Sequence, residues 1–269
     1  MKANPPEIVP KADLEVLDQE ITDERGLYRI RAGNRVHYLT IPTTVFDDDT
    51  MSKPFLLIPH LPDFPNTNWT RMTIPREEHG ALAHTISLDP LPELHFTFHE
   101  NLVDILLLDK ITQLHPGVLE VLYNGWPAIA KYSCFWDFHR IQRENWAYDI
   151  FHNDHDKGQA LIAPRVLGHL TENGRPIGLL LEKIEGVLVS IKDREKCEKA
   201  LRILHAEPIR LVHGDVNRYN MIVDANDSNV RLIDFEHAEQ YDESKARKEI
   251  ESLTAELTEE TGRGGTVWF

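Results

Sequence analysis

The stretch HGDVNRYN at residues 213–220, followed by the apolar run VRLIDF at 230–235, decides how this chain is read. Asp215 and Asn220 stand five apart on one loop, and Asp234 closes a short apolar strand pattern just downstream. Phosphoryl transfer needs a carboxylate to orient or deprotonate an attacking hydroxyl, and hard oxygen ligands to hold magnesium against the phosphates. The loop offers the base in Asp215 and an amide oxygen in Asn220, while the strand end delivers Asp234 to the same ion. An isolated Asp or Asn on a loop usually caps a turn or faces solvent. The functional reading rests on the joint spacing, which makes a two-strand magnesium clamp.

Working outward, the sequence alternates strand and helix signals from Val103 onward. DILLLDKITQL, VLEVLYNG and PAIAKYSCF form three apolar, β-prone runs separated by His115-Pro116-Gly117 and Asn124-Gly125, which predicts two adjacent hairpins. FHRIQRENWAYDIFH spaces Phe138, Ile141, Trp146 and Ile150 as a helix does. Two more strands follow, broken at Glu172-Asn173-Gly174, giving the order βββαββ. A helix over about 193–205 carries Cys197, Leu201 and Leu204 on its apolar side, and a last one over about 243–260 carries Ile250, Leu253 and Leu257. The TGRGGTVWF end reads as a glycine-rich tail that Trp268 and Phe269 dock back or leave frayed. Residues 1 to about 100 are the least regular: alternation from Tyr28 to Ile41 suggests a hairpin turning at Ala32-Gly33-Asn34, and the prolines from 54 to 92 argue against long helices. They are read as an irregular extension packed on the rest of the chain.

These motifs resemble the protein-kinase-like superfamily, in its small-molecule and atypical branches. HGD in place of HRD is similar to aminoglycoside phosphotransferases, IDFEHA to the IDFE segment of choline and ethanolamine kinases, and HGDVNRYNMIVD to the small kinase of the tRNA-modifying KEOPS complex. The stretch from about 103 to 260 also resembles fungal phosphotransferase-like proteins. The resemblance implies an α+β, two-lobed protein-kinase-like fold with a reduced C-terminal lobe and an irregular N-terminal extension. The expected divisions are 1–100 for the extension, 101–183 for a small β-rich lobe with one helix, and 184–269 for the large lobe. By the same resemblance Asp215 orients or deprotonates the acceptor, Asn220 and Asp234 hold Mg2+, and Lys131 in PAIAKYS anchors the phosphates of ATP with Glu144 as its helix partner. His213 ties the loop to the metal-binding segment, and Glu182 and Ile184 in LLLEKIEG offer main-chain groups to the adenine.

Three departures from the family pattern stand out. The first turn has a single glycine, in TQLHPG, where kinases cover the phosphates with several. Asn217 stands where a lysine is usual, which turns attention to Arg218 for charge compensation of the γ phosphate. Few residues follow Asp234, so a peptide-directed kinase is not expected and the extension is left to cover the cleft and select the acceptor.

Composition narrows the partners. The 269 residues carry a formal charge of −15, which repels nucleic acid and anionic lipid, although tRNA is not excluded. Two distant cysteines, Cys134 and Cys197, give neither a disulfide framework nor a zinc site, and the fourteen histidines lack ligand spacing. The start has no apolar signal region and no run suits a membrane span, so a cytoplasmic protein is expected. The leading reading is an Mg-ATP-dependent phosphotransferase acting on a small hydroxylated acceptor, with the oligomeric state open. The alternatives are a nucleotide-binding pseudokinase serving as an interaction module, and a kinase-fold transferase of other chemistry, such as adenylyl or tRNA-dependent aminoacyl transfer in fungal secondary metabolism.

Overall fold

The structure, a computed structural model, describes residues 6–75, 82–135, 138–154 and 162–262. Gly264, Gly265, Trp268 and Phe269 of the expected tail lie outside the described residues. The chain divides into two compact units, Met1–Pro92 and Glu93–Phe269.

The first unit is not irregular, contrary to the expectation. Its strands are β1 (Ile8–Val9), β2 (Leu14–Ile21), β3 (Arg25–Ala32), β4 (Arg35–Pro42), β5 (Phe64–Pro65), β6 (Arg71–Thr73) and β7 (Thr85–Ser87), with helices α1 (Asp48–Ser52) and α2 (Pro54–Leu57) between β4 and β5. Five of them form one sheet in the order β2-β3-β4-β6-β7, and β1 pairs with β5. The β3–β4 hairpin closes at Ala32↔Arg35, with Gly33 at φ +63°, as the alternation suggests. Tyr28, Ile30, Leu39, Ile41, Met51, Leu57, Trp69 and Met72 build a core of the unit's own. The sheet is hard to see in the sequence because β6 and β7 are three residues long and β2 carries Glu15, Asp18 and Glu20 among its apolar positions. The helices are short, as the prolines require.

The second unit begins with β8 (Leu102–Asp104), β9 (Asp109–His115), β10 (Val118–Tyr123), β11 (Trp126–Tyr132), α3 (Phe138–Asp154), β12 (Val166–Glu172) and β13 (Arg175–Glu182). These strands make one six-stranded sheet in the order β8-β12-β13-β11-β10-β9. Asn124-Gly125 and Asn173-Gly174 all take positive φ, the conformation that tight hairpin turns demand. DILLL is not the start of a strand: Asp104 accepts a hydrogen bond from the Leu106 amide at 2.9 Å and winds Ile105–Leu107 into a 3-10 turn. Strand β8, which the sequence did not announce, pairs in parallel with β12. Side chains alternate across β11: Ala128, Ala130 and Tyr132 join Leu170 and Leu180 in one cluster, while Ile129 joins Leu179, Leu181, Tyr148 and Phe151 in the other. Lys131 pairs with Leu179 and therefore shares the face of Ile129.

After this sheet come β14 (Gly186–Leu188), α4 (Arg194–His205), β15 (Leu211–Val212), β16 (Met221–Asp224), β17 (Val230–Leu232), β18 (Glu239–Gln240) and α5 (Glu243–Leu257). Ser190 and Asp193 form a capping box that starts the run into α4, and Asp242 caps α5. Cys197, Leu201 and Leu204 of α4 pack with Leu232, Leu253 and Leu257, so both helices bury the faces the sequence assigned them. Strands β14, β16 and β17 form a small sheet, and β15 pairs with β18. The outcome is an α+β, two-lobed kinase-like architecture with a reduced helical part. No helix among the described residues is long and apolar enough to cross a membrane.

Candidate active site

Residues 213–220 link β15 to β16, and their shape is set by amide side chains. Asn217 accepts from the Tyr219 amide at 2.8 Å and the Asn220 amide at 3.2 Å, capping the 3-10 turn Arg218–Asn220. This cap is the role of Asn217 in the place where a lysine was expected. Asn220 donates from Nδ2 to the Asp215 carbonyl at 3.0 Å and to Asp215 Oδ2 at 2.9 Å, which leaves its Oδ1 as an acceptor. The Ile233 amide donates to the Asn220 carbonyl at 3.0 Å, so the backbones of the loop and of the IDF segment meet one residue before Asp234.

Asp234 lies at φ +66°, ψ +65°, in the left-handed region. Its carboxylate reaches Lys131 Nζ, and Glu144 Oε2 lies 2.6 Å from the same nitrogen. Glu144 also accepts from the Phe235 amide at 3.3 Å and has no exposed surface. The structure thus joins three sequence candidates from β11, α3 and the end of β17. Burial pushes the Glu144 carboxyl up, to about 7, against the attraction of Lys131 and with the help of Asp234. For Asp234 burial acts upward too, but Lys131 outweighs it and holds the carboxyl below the usual range. Burial disfavours the Lys131 ammonium, and the two carboxylates more than offset this, so it stays charged. One ammonium thus serves two carboxylates, with Asp234 the more exposed partner.

His213 ties the loop to the segment that carries Asp234: its Nε2 donates to the Ile233 carbonyl at 3.0 Å, and its ring lies 5.0 Å from that of Phe235. Gly214 sits at φ +80°, and a Cβ there would meet the His237 carbonyl at 2.0 Å. Sequence reasoning missed the residue that fixes this glycine. Glu249 of α5, almost fully buried, accepts from the Gly214 amide at 2.7 Å through Oε1 and from His205 Nε2 at 2.7 Å through Oε2. A carboxylate falling on the apolar side of an otherwise charged helix was the signal available for it.

The remaining candidates fall in two groups. Glu182 is tied outward, its amide to the Arg165 carbonyl at 2.9 Å and its carboxylate to the Arg165 guanidinium at 3.0 and 3.2 Å. The backbone of Ile184 has no hydrogen-bond partner among the described residues, so this stretch keeps main-chain groups open. Arg218 is not drawn into the cluster: its Nη1 donates to the Glu259 carbonyl at 3.3 Å, and its guanidinium lies near the Tyr219 ring. The Gly117 carbonyl accepts from the Tyr132 amide at 2.8 Å, and a Cβ at Gly117 would meet the Tyr132 carbonyl at 2.4 Å. That glycine serves strand packing.

Among known families, residues 177–253 match the one described as RIO domain. The matched segment runs from β13 into α5 and holds Glu182, Ile184, Asp215, Asn220, Asp234 and Glu249, while Lys131 and Glu144 lie upstream of it. Comparison with curated proteins gives no match. RIO domains are atypical members of the kinase-like superfamily, and this part of the chain is similar to them.

Proposed function

We propose that residues 93–269 bind Mg·ATP and transfer its γ-phosphoryl group to a hydroxyl of a small molecule. The observation that carries this reading is Lys131 held between Glu144 and Asp234, with Asn220 bonded to the residue before Asp234. Lys131 would bind the α and β phosphates, and Glu144 would orient it. The Asn220 Oδ1 and the Asp234 carboxylate suit Mg2+, a hard ion that takes few protein ligands and keeps water and phosphate oxygens as the rest. When bound, the ion neutralises charge on the transferring group. Open main-chain groups near Ile184, with the Glu182 carbonyl, would take the base. Asp215 would receive the proton of the acceptor hydroxyl as its oxygen bonds to the γ phosphorus and the bond to the β-bridging oxygen breaks. Asn217 and Asn220 hold the Asp215 carboxylate for this task at 3.1 and 2.9 Å. Arg218 has no part in this reading. The small hydroxylated acceptor is supported by the likeness of HGD and IDFE to aminoglycoside and choline kinases.

Calorimetry with Mg·ATP and mass spectrometry of products from a panel of hydroxylated acceptors test the proposal. Asp215→Asn is expected to keep nucleotide affinity within a few-fold and to lower turnover by about 10²–10⁴-fold. Unchanged turnover in that variant overturns the assignment of the base.

A second reading, a nucleotide-binding interaction module, is favoured by Gly117, which is committed to Tyr132 rather than to phosphate cover. Nucleotide binding by the wild-type chain without phosphate gain in any acceptor or release to water supports it instead.

A further inference from the structure

Glu236, which stands where a kinase metal segment usually has glycine, has a partner that the proposed chemistry does not use. Its Oε1 lies 3.0 Å from Arg140 Nη1, on the first turn of α3, and 3.4 Å from His237 Nε2. Arg140, Glu144 and Tyr148 recur every four residues and so project from one side of the helix. Each grips the turn after Asp234: Arg140 the Glu236 carboxylate, Glu144 the Phe235 amide at 3.3 Å, and Tyr148 the Phe235 ring at 5.6 Å. The lower two contacts are buried, whereas the Arg140 side chain is 44% exposed, which makes it the contact that solvent and neighbours can reach.

The electrostatics give the pair its purpose. Glu144 and Asp234 share the Lys131 ammonium, and Glu236, two residues past Asp234, adds a third carboxylate whose ion-pair partner on α3 is Arg140. Without a cation of its own, Glu236 would repel the other two carboxylates. Arg140 supplies that cation from the helix that also carries Glu144.

We propose that Arg140 and Glu236 form a positioning latch that couples α3 to the Asp234 turn, setting the metal-binding carboxylate in register with the Lys131–Glu144 pair. The functional consequence rests on the phosphotransferase reading above; the mechanical coupling does not. Hydrogen exchange of residues 234–237 in the ligand-free full chain reads the coupling directly. Arg140→Glu and Glu236→Arg are each expected to speed exchange there by about fivefold or more, while the double charge swap restores protection, since a like-charge pair replaces an attractive one only in the singles. Calorimetry reads the consequence: each single weakens the Mg2+-dependent part of ATP binding by about five- to tenfold and the swap recovers it. Melting temperature should move little in all three variants, which separates positioning from general destabilisation. Unchanged exchange in the singles, or a swap that fails to restore it, overturns the latch. If the wild-type chain shows no Mg2+-dependent nucleotide binding, the phosphotransferase reading fails, and the exchange experiment still decides the coupling.

Discussion

Asp224 and Asp234 stand at the two ends of the hairpin made by β16 and β17, and the fold treats them in opposite ways. Asp224 is buried with every contact internal: Oδ1 accepts from the Asn226 amide at 2.8 Å and from Asn226 Nδ2 at 3.0 Å, and Oδ2 accepts from Arg231 Nε at 3.0 Å. Arg231, itself buried, continues to Asp227 at 3.1 Å. Asp234 is held in left-handed backbone and pairs with a lysine that it shares with Glu144. The hairpin's closed end thus uses its carboxylate to hold the turn, while the other end keeps oxygen lone pairs for something else. Under the proposed function, a single supersecondary unit separates stability from chemistry by which lone pairs it engages internally.

Breaking each end should have separate consequences. The largest effect is expected for Asp234→Ala, which should lower Mg2+-dependent phosphate release from ATP by about a thousandfold or more, since a metal ligand contributes several kcal/mol at the transition state. Its urea unfolding free energy should stay within about 1 kcal/mol of wild type, because Lys131 keeps Glu144 as a partner. An Asp234→Ala protein that fails to fold would erase the contrast.

Asp224→Ala should do the reverse. Leaving Arg231 buried without its main partner should cost about 3–5 kcal/mol of stability in urea titrations. Replacing the pair together, Asp224→Leu with Arg231→Met, should recover most of that loss, because an apolar pair removes both desolvation penalties. Equal losses for the single and double variants would show that geometry rather than charge balance fixes this end.

A smaller effect extends the contrast to a buried group without a counter-charge. His169 is fully buried, and its Nε2 donates to Asn145 Oδ1 at 3.0 Å. Burial pulls its pKa down to about 4. As pH falls below about 6.5 the unfolded chain takes up a proton at this ring and the native chain does not, so stability declines until the native ring also titrates near 4. The total is about 3 kcal/mol at most from this residue. Urea titrations between pH 7 and 4 should show a shallower slope for His169→Gln than for wild type.

Legibility in the sequence tracks the same division. Lys131, Glu144 and Asp234 meet, and the backbone of the loop that carries Asp215 and Asn220 bonds to Ile233 beside Asp234, because strand ends and one helix turn deliver them, and the period of apolar residues reveals strands and helices. The paired turns at Asn124-Gly125 and Asn173-Gly174 were equally plain, since their backbone needs positive φ. Glu249 escaped notice because its importance lies in a contact with a backbone amide thirty-five residues away, which no local pattern encodes. Arg218 looked like a phosphate contact from its neighbours in the chain, but the turn capped by Asn217 lets its guanidinium reach the Glu259 carbonyl. Beyond its β3–β4 hairpin, the sheet of residues 14–87 was unreadable because its last two strands are short and one of its pairings, β4 with β6, is parallel and bridges a long excursion.

The glycine at 214 has a consequence for how this chain can change over generations. With no room even for a methyl group against the His237 carbonyl, a substitution at position 214 demands a compensating shift of backbone across from it. Any side chain at that position therefore has to move both segments in one step, so the junction resists piecemeal change.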